Sequence, residues 1–167
     1  MIEALRGVPV AAIAAGSRHS MVLTHLGRVI SFGNGTGGKL GHGDQEDQRE
    51  PKEIEALRDR RVVAIAAGYD HSMVLTDAGT VLSFGDGMRG VLGHGDHRRQ
   101  QRPKEIEALR GVRVAAISAG VIHSMVLTDE GSVCSFGYGG GGRLGHGDEE
   151  DQLEPKVAAL HCPKSRI

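Results

Sequence analysis

One stretch of the chain carries residue types that could bind phosphate. SFGNGTGGKLGHGD, Ser31 to Asp44, contains G-x-G-x-x-G as Gly33, Gly35 and Gly38, with Lys39 directly after the last glycine. Glycines at that spacing let backbone N–H groups approach a pyrophosphate, and a lysine there would add charge. A second set could hold a metal ion or sense pH. Six of the nine histidines sit in two recurring contexts: His19, His71 and His123 in G-x-x-H-S, and His42, His94 and His146 in GHGD. Imidazole is a common metal ligand and titrates near neutral pH. Asp44, Asp96 and Asp148 place a carboxylate two residues after the second group.

Recurrence argues against both chemistries. The stretch 13–44 returns at 65–96 and at 117–148, with Gly16, Gly68 and Gly120 at a constant spacing of 52, as are Phe32, Phe84 and Phe136. A dinucleotide site needs its glycine loop once, between a strand and a helix whose N-terminus faces the phosphates. Here LGHGD and a polar, proline-bearing loop follow each copy, and Leu40, Leu92 and Leu144 stand where a phosphate loop needs Ser or Thr. The glycines are read as turns. A histidine present once per unit is explained by the unit, as a group bonded to backbone at a strand entry and fixing one unit to the next. The repeated aspartates fit Asx turns. No serine, histidine or aspartate is unique enough to form a catalytic set, so no catalytic, metal or cofactor residue is expected.

Stepping through one unit shows what positions these groups. VVAIAAG (62–68), HSMVLT (71–76) and TVLSFG (80–85) are short apolar runs bounded by Gly and Asp, the pattern of antiparallel strands. PKEIEAL (103–109) is a more polar fourth segment opened by proline, as suits an edge strand, although IEALR also fits a helical turn. Four short strands in each period of about 50 residues fit a propeller blade. The fold expected is all-β, with three repeats: about 1–52, 53–104 and 105–160, and a tail at 161–167, within a single repeat domain spanning 1–167.

These units resemble the regulator-of-chromosome-condensation repeat family. The shared pattern is V-x-x-[IV]-[AS]-[AC]-G-x-x-H-[ST]-x-x-L, then G-x-[VL]-x-[ST]-[WF]-G, G-x-L-G-x-G and a proline segment, across nearly all of residues 8–157. Phenylalanine stands at Phe32, Phe84 and Phe136 where the family usually has tryptophan. The resemblance implies a propeller, usually of seven blades, that exchanges guanine nucleotide on a Ran-type small GTPase or serves as an interaction scaffold. Exchange in the family uses an inserted wedge, for which the constant spacing leaves no room. Ultraviolet sensing in the family uses a tryptophan cluster, and this chain has no Trp.

Composition bounds the rest. The 167 residues carry a net charge of −1, which gives no basic field for nucleic acid or an anionic membrane. Cys134 and Cys162 form no CxxC pair, Cys134 falls at a core strand position, and no apolar run is long enough to span a bilayer. An intracellular place, cytoplasmic or nuclear, is expected. A propeller needs about four to eight blades to close. In the family's phase, residues 1–24 and 129–167 would each be half a blade, and 25–76 and 77–128 whole ones. Two chains head to tail would then close a six-bladed ring with two shared blades; the alternative is a fragment of a longer protein. Function is expected where the repeats differ. The candidate partner-binding residues are Arg18, Tyr69, Asp70 and Ile122 in G-x-x-H, and Met88, Arg89 and Tyr138 in the glycine loops. The loops before the prolines alternate in charge: DQEDQRE acidic, DHRRQQR basic, DEEDQLE acidic. A non-enzymatic protein-interaction scaffold is the primary expectation. The alternatives are guanine-nucleotide exchange, and a designed or amplified repeat protein without an evolved partner.

Overall fold

The computed structural model describes residues 2–158. Three antiparallel sheets follow one another along the chain. The first holds β1 (Val10–Ala15), β2 (His19–Thr24), β3 (Val29–Gly33) and β4 (Gln48–Glu53). The second holds β5 (Val62–Ala67), β6 (His71–Thr76), β7 (Val81–Gly85) and β8 (Gln100–Glu105). The third holds β9 (Val114–Ala119), β10 (His123–Thr128), β11 (Val133–Gly137) and β12 (Gln152–Val157). Within each sheet the spatial order is the chain order. The glycine loops and the IEAL segments form three-residue 3-10 turns, so each fourth strand starts earlier than its proline and ends at Glu53, Glu105 or Val157.

This placement corrects the blade phase. The half-blades expected at 1–24 and 129–167 are not formed, because every sheet takes all four strands from one continuous segment. The cause is local. Only four residues separate β2 from β3, and Gly27 N donates to Thr24 O at 2.9 Å while Thr24 N donates to Arg28 O. Such a tight reversal pairs the two strands directly, His19 opposite Gly33 and Leu23 opposite Val29. Residues 161–167, expected as a tail, and Cys162 lie outside the described residues.

The hydrophobic cores lie between sheets. Met21, Leu23, Val29, Ile54 and Leu57 of the first blade pack with Val74, Leu82 and Phe84 of the second. Met73, Leu75, Val81, Ile106 and Leu109 then pack with Val126, Cys134 and Phe136 of the third. Alternation along each strand sends one set of side chains forward to the next blade and the other set back. Aliphatic residues, methionines and one phenylalanine per interface, Phe84 or Phe136, fill these cores without tryptophan.

Candidate protein interface on the loop face

Two kinds of loop meet at one face of the arc. The residue preceding each conserved histidine accepts a hydrogen bond from the residue that follows β3, β7 or β11: Asn34 N to Arg18 O, Asp86 N to Asp70 O, and Tyr138 N to Ile122 O, at 2.8 to 2.9 Å. This bond brings each variable G-x-x-H pair against its own glycine loop. The sequence differences therefore collect in space.

Between the second and third blades they enclose a cavity of about 160 Å³, lined by Tyr69, Asp70, Met88, Arg89, Val121 and Ile122 among others. Five of the seven candidate residues are brought together here. Tyr69, Met88 and Val121 remain exposed, Met88 at 63%. Tyr138 joins through Arg89, whose guanidinium carbon stands 5.0 Å from the ring centroid, while Arg143 covers the same ring at 4.7 Å. Arg18 lies on the equivalent loop of the first blade, outside this cavity.

Arg89 is held in an uncommon backbone conformation. Its φ is 61°, the sole positive value for a non-glycine among the described residues, where the other repeats have Gly37 at 78° and Gly141 at 71°. An L-residue there costs about 1–2 kcal/mol. In exchange, the side chain crosses to the third blade and pairs with Asp151 at 3.2 Å. Asp151 also accepts Gly139 N at 2.9 Å, so it anchors that glycine loop.

Asp70 is tied from the opposite side. Lys39, 1% exposed, donates to Asp70 Oδ1 at 2.7 Å. Lys39, Val91 and Arg143 occupy one column in which the repeats differ, and that difference is the sequence signal for this pair and for the Arg143 stack. Asp86, paired with Arg99 at 3.1 Å, and Val91 also line the cavity and were not singled out.

The repeated G-x-x-H-S histidines link one blade to the next. Ser72 Oγ donates to Lys39 O at 2.8 Å, so its single proton is spent there, and His19 Nε2 donates to Ser72 Oγ at 2.8 Å. His71 repeats this with Ser124 at 3.0 Å, and Ser124 donates to Val91 O. The partner is thus a serine hydroxyl of the next blade rather than backbone directly. Gly16, Gly68 and Gly120 stand against the imidazoles: a Cβ at Gly16 would lie 2.5 Å from His19 Cε1. Burial lowers the pKa of His19 to about 4, helped by the nearby Lys39 cation, and burial does the same for His71. Both are neutral donors at pH 7.

The GHGD histidines stay within their own blade. Nε2 of His42, His94 and His146 donates at 3.0 Å to Ser31, Ser83 and Ser135, whose hydroxyls donate to Leu40, Leu92 and Leu144 O. Asp44, Asp96 and Asp148 accept the N–H two residues on, at 2.9 to 3.1 Å, which is the Asx turn. Among the described residues no three His, Cys, Asp or Glu side chains gather as a cation site. Cys134 is buried, which raises its thiol pKa.

Four-stranded sheets stacked face to face around inner strands, with conserved blade-joining groups and variable loops on one face, define an arc of a β-propeller repeat protein. The chain belongs to the regulator of chromosome condensation (RCC1) repeat family, whose repeat matches residues 27–75, 78–127 and 130–161. Each of the first two matches begins at the β2–β3 or β6–β7 turn and ends in the next sheet, which explains why the family's phase and the sheets disagree.

The chain is 42% identical over 158 residues to the E3 ubiquitin-protein ligase HERC2 of Homo sapiens, covering 93% of this chain and 3% of that protein. It is 41% identical over 145 residues to the Ultraviolet-B receptor UVR8 of Arabidopsis thaliana, covering 86% of this chain and 33% of the receptor. Prp20p from Saccharomyces cerevisiae, described with its binding to Gsp1p and histones, superposes with a TM-score of 0.82 at 25% identity over 92% of this chain and 39% of Prp20p. The chain thus spans a third or less of these two curated relatives. No helix among the described residues is long and apolar enough to cross a membrane.

Proposed function

We propose that the chain is a non-enzymatic protein-interaction scaffold that takes an apolar side chain of its partner into the loop-face cavity between the second and third blades. The observation that carries this reading is Arg89, a strained arginine where both sister repeats have glycine, lying beside exposed Met88 and Tyr69. Strain of this kind is retained where the side chain has work to do. A cavity of about 160 Å³ suits one aliphatic or aromatic side chain, and Tyr and Arg at its rim are the residue types that dominate binding energy. Prp20p, whose described partners are Gsp1p and histones, supports a protein as the ligand and an intracellular place, cytoplasmic or nuclear. A second copy of the chain is the other partner in this reading, met head to tail.

The test is affinity capture with the intact chain, identification of captured proteins, and calorimetry of each purified partner against wild type and against Met88→Ala and Arg89→Gly. Loss of binding by about tenfold or more in both variants, with unchanged circular dichroism, is expected for a cavity-centred contact. Equal binding by all three overturns the reading. A purified small GTPase loaded with labelled nucleotide serves as the second arm: release at the uncatalysed rate is expected, and acceleration would make the chain an exchange factor.

A further inference from the structure

Among the described residues the forward face of the third blade and the backward face of the first are uncovered in complementary ways, and each interior joint shows what covers such a face. At the forward side of the first and second blades, Leu23 and Leu75 are each 3% exposed, whereas Leu127 on the third is 39% exposed. Met21 and Met73 are 0% exposed, but Met125 is half-buried. On the backward side, Phe84 and Phe136 are fully buried and Phe32 is not. Ile65 and Ile117 pack on interblade cores, while Ile13 is exposed.

The polar groups follow the same rule. His19 reaches Ser72 and His71 reaches Ser124. His123, next in the series, has no serine on its Nε2 among the described residues, while its Nδ1 is buried without a partner just as that of His19 is. At the other end Ser20 is half-buried, with no histidine behind it among the described residues. The loop of each blade also receives the ring of the next: Phe84 lies against Gly41 and Phe136 against Gly93, where a Cβ would come within 2.9 Å of either ring. At Gly145 the nearest such contact among the described residues is Ala158 at 3.9 Å, and none of them places a ring there.

We infer that the forward face of the third blade and the backward face of the first are the two halves of a joint between copies of this chain, with His123 donating to the partner's Ser20 and the partner's Phe32 seated on Gly145. The occupant is a second copy because the faces it must match, His71 with Ser124 and Phe136 on Gly93, occur within this chain with the same residue types at the same positions. The joint is heterologous, and two copies whose rotation closes the ring carry two such joints. It joins complete blades and shares no strand. The inference rests on the reading of the chain as its own head-to-tail partner, and is independent of what occupies the loop-face cavity.

Light scattering of the full chain across about a hundredfold range of concentration tests it, with a rise toward twice the chain mass expected. Ile13→Glu and Leu127→Glu are each predicted to stay monomeric, since both change exposed residues on opposite halves of the joint. Mixed together they restore a dimer, because one of its two joints then holds only native residues. A wild-type chain that is monomeric at every concentration overturns the inference. So does a dimer that either variant leaves intact, or two variants that fail to complement. Met88→Ala dimerises like wild type, which separates this outcome from failure of the loop-face reading.

Discussion

Arg89 sets two local energies against each other. Replacing it with glycine relieves about 1 kcal/mol of left-handed strain. It also removes an exposed ion pair to Asp151 and a stack on Tyr138, together worth about 1 kcal/mol. Arg89→Gly is therefore expected to leave the urea midpoint almost unchanged while weakening partner binding, a separation that a merely structural arginine would not show. The Lys39–Asp70 pair is asymmetric in another way. Lys39 is 1% exposed and Asp70 is 39% exposed. Asp70→Ala strands a buried cation and is expected to cost about 3 kcal/mol. Lys39→Met leaves a carboxylate that water can reach, and costs less than about 1 kcal/mol; denaturant titration of the two variants side by side checks the order. Tyr69, Asp70, Met88, Arg89 and Ile122 could be found in the sequence because they break an otherwise strict repeat. The positive φ of Arg89 was visible only as an arginine in a glycine column, and the Lys39 contact needed the next blade in place.

At the scale of the element, each blade is fastened to the next through one imidazole, and that makes stability depend on pH. His19 and His71 have folded pKa values of about 4, below the 6.5 of a free histidine. Between those values the unfolded chain binds protons that the folded chain refuses, so stability is complete above about pH 6.5 and falls as pH drops toward 4. Each histidine accounts for about 3 kcal/mol of that loss. Urea unfolding from pH 7.5 to 4.5 is expected to show a falling midpoint, and His71→Gln a shallower fall from a lower start. Gly68→Ala is expected to cost about 3 kcal/mol, because its Cβ meets the His71 ring and Gly120 O. The strands themselves were legible from short apolar runs between turn residues. What the sequence alone left open was the origin of the period. A repeat of 52 residues fixes a length, and either neighbour can complete a sheet until the four-residue turn from β2 to β3 is weighed above the family's own repeat boundaries.

For the whole molecule, the same isoleucine position reads out where the arc ends. Ile65 is half-buried and packs on the core between the first two blades, whereas Ile13 is 78% exposed at the backward face. Truncating Ile65 to alanine opens space in a packed interface and is expected to cost about 2 kcal/mol at any protein concentration. Truncating Ile13 removes a side chain that lies mostly in solvent in a lone chain, so at low concentration its cost is small. If a second copy covers that face, mass action adds to the stability of wild type as concentration rises, and Ile13→Ala forgoes part of that gain. The cost of Ile13→Ala therefore grows with protein concentration while that of Ile65→Ala stays flat. Thermal melts of wild type and both variants, each recorded at several dilutions, measure the two dependences directly. A concentration-independent cost at Ile13 would mean that the backward face of the first blade stays wet, and that the arc is stable with its end uncovered.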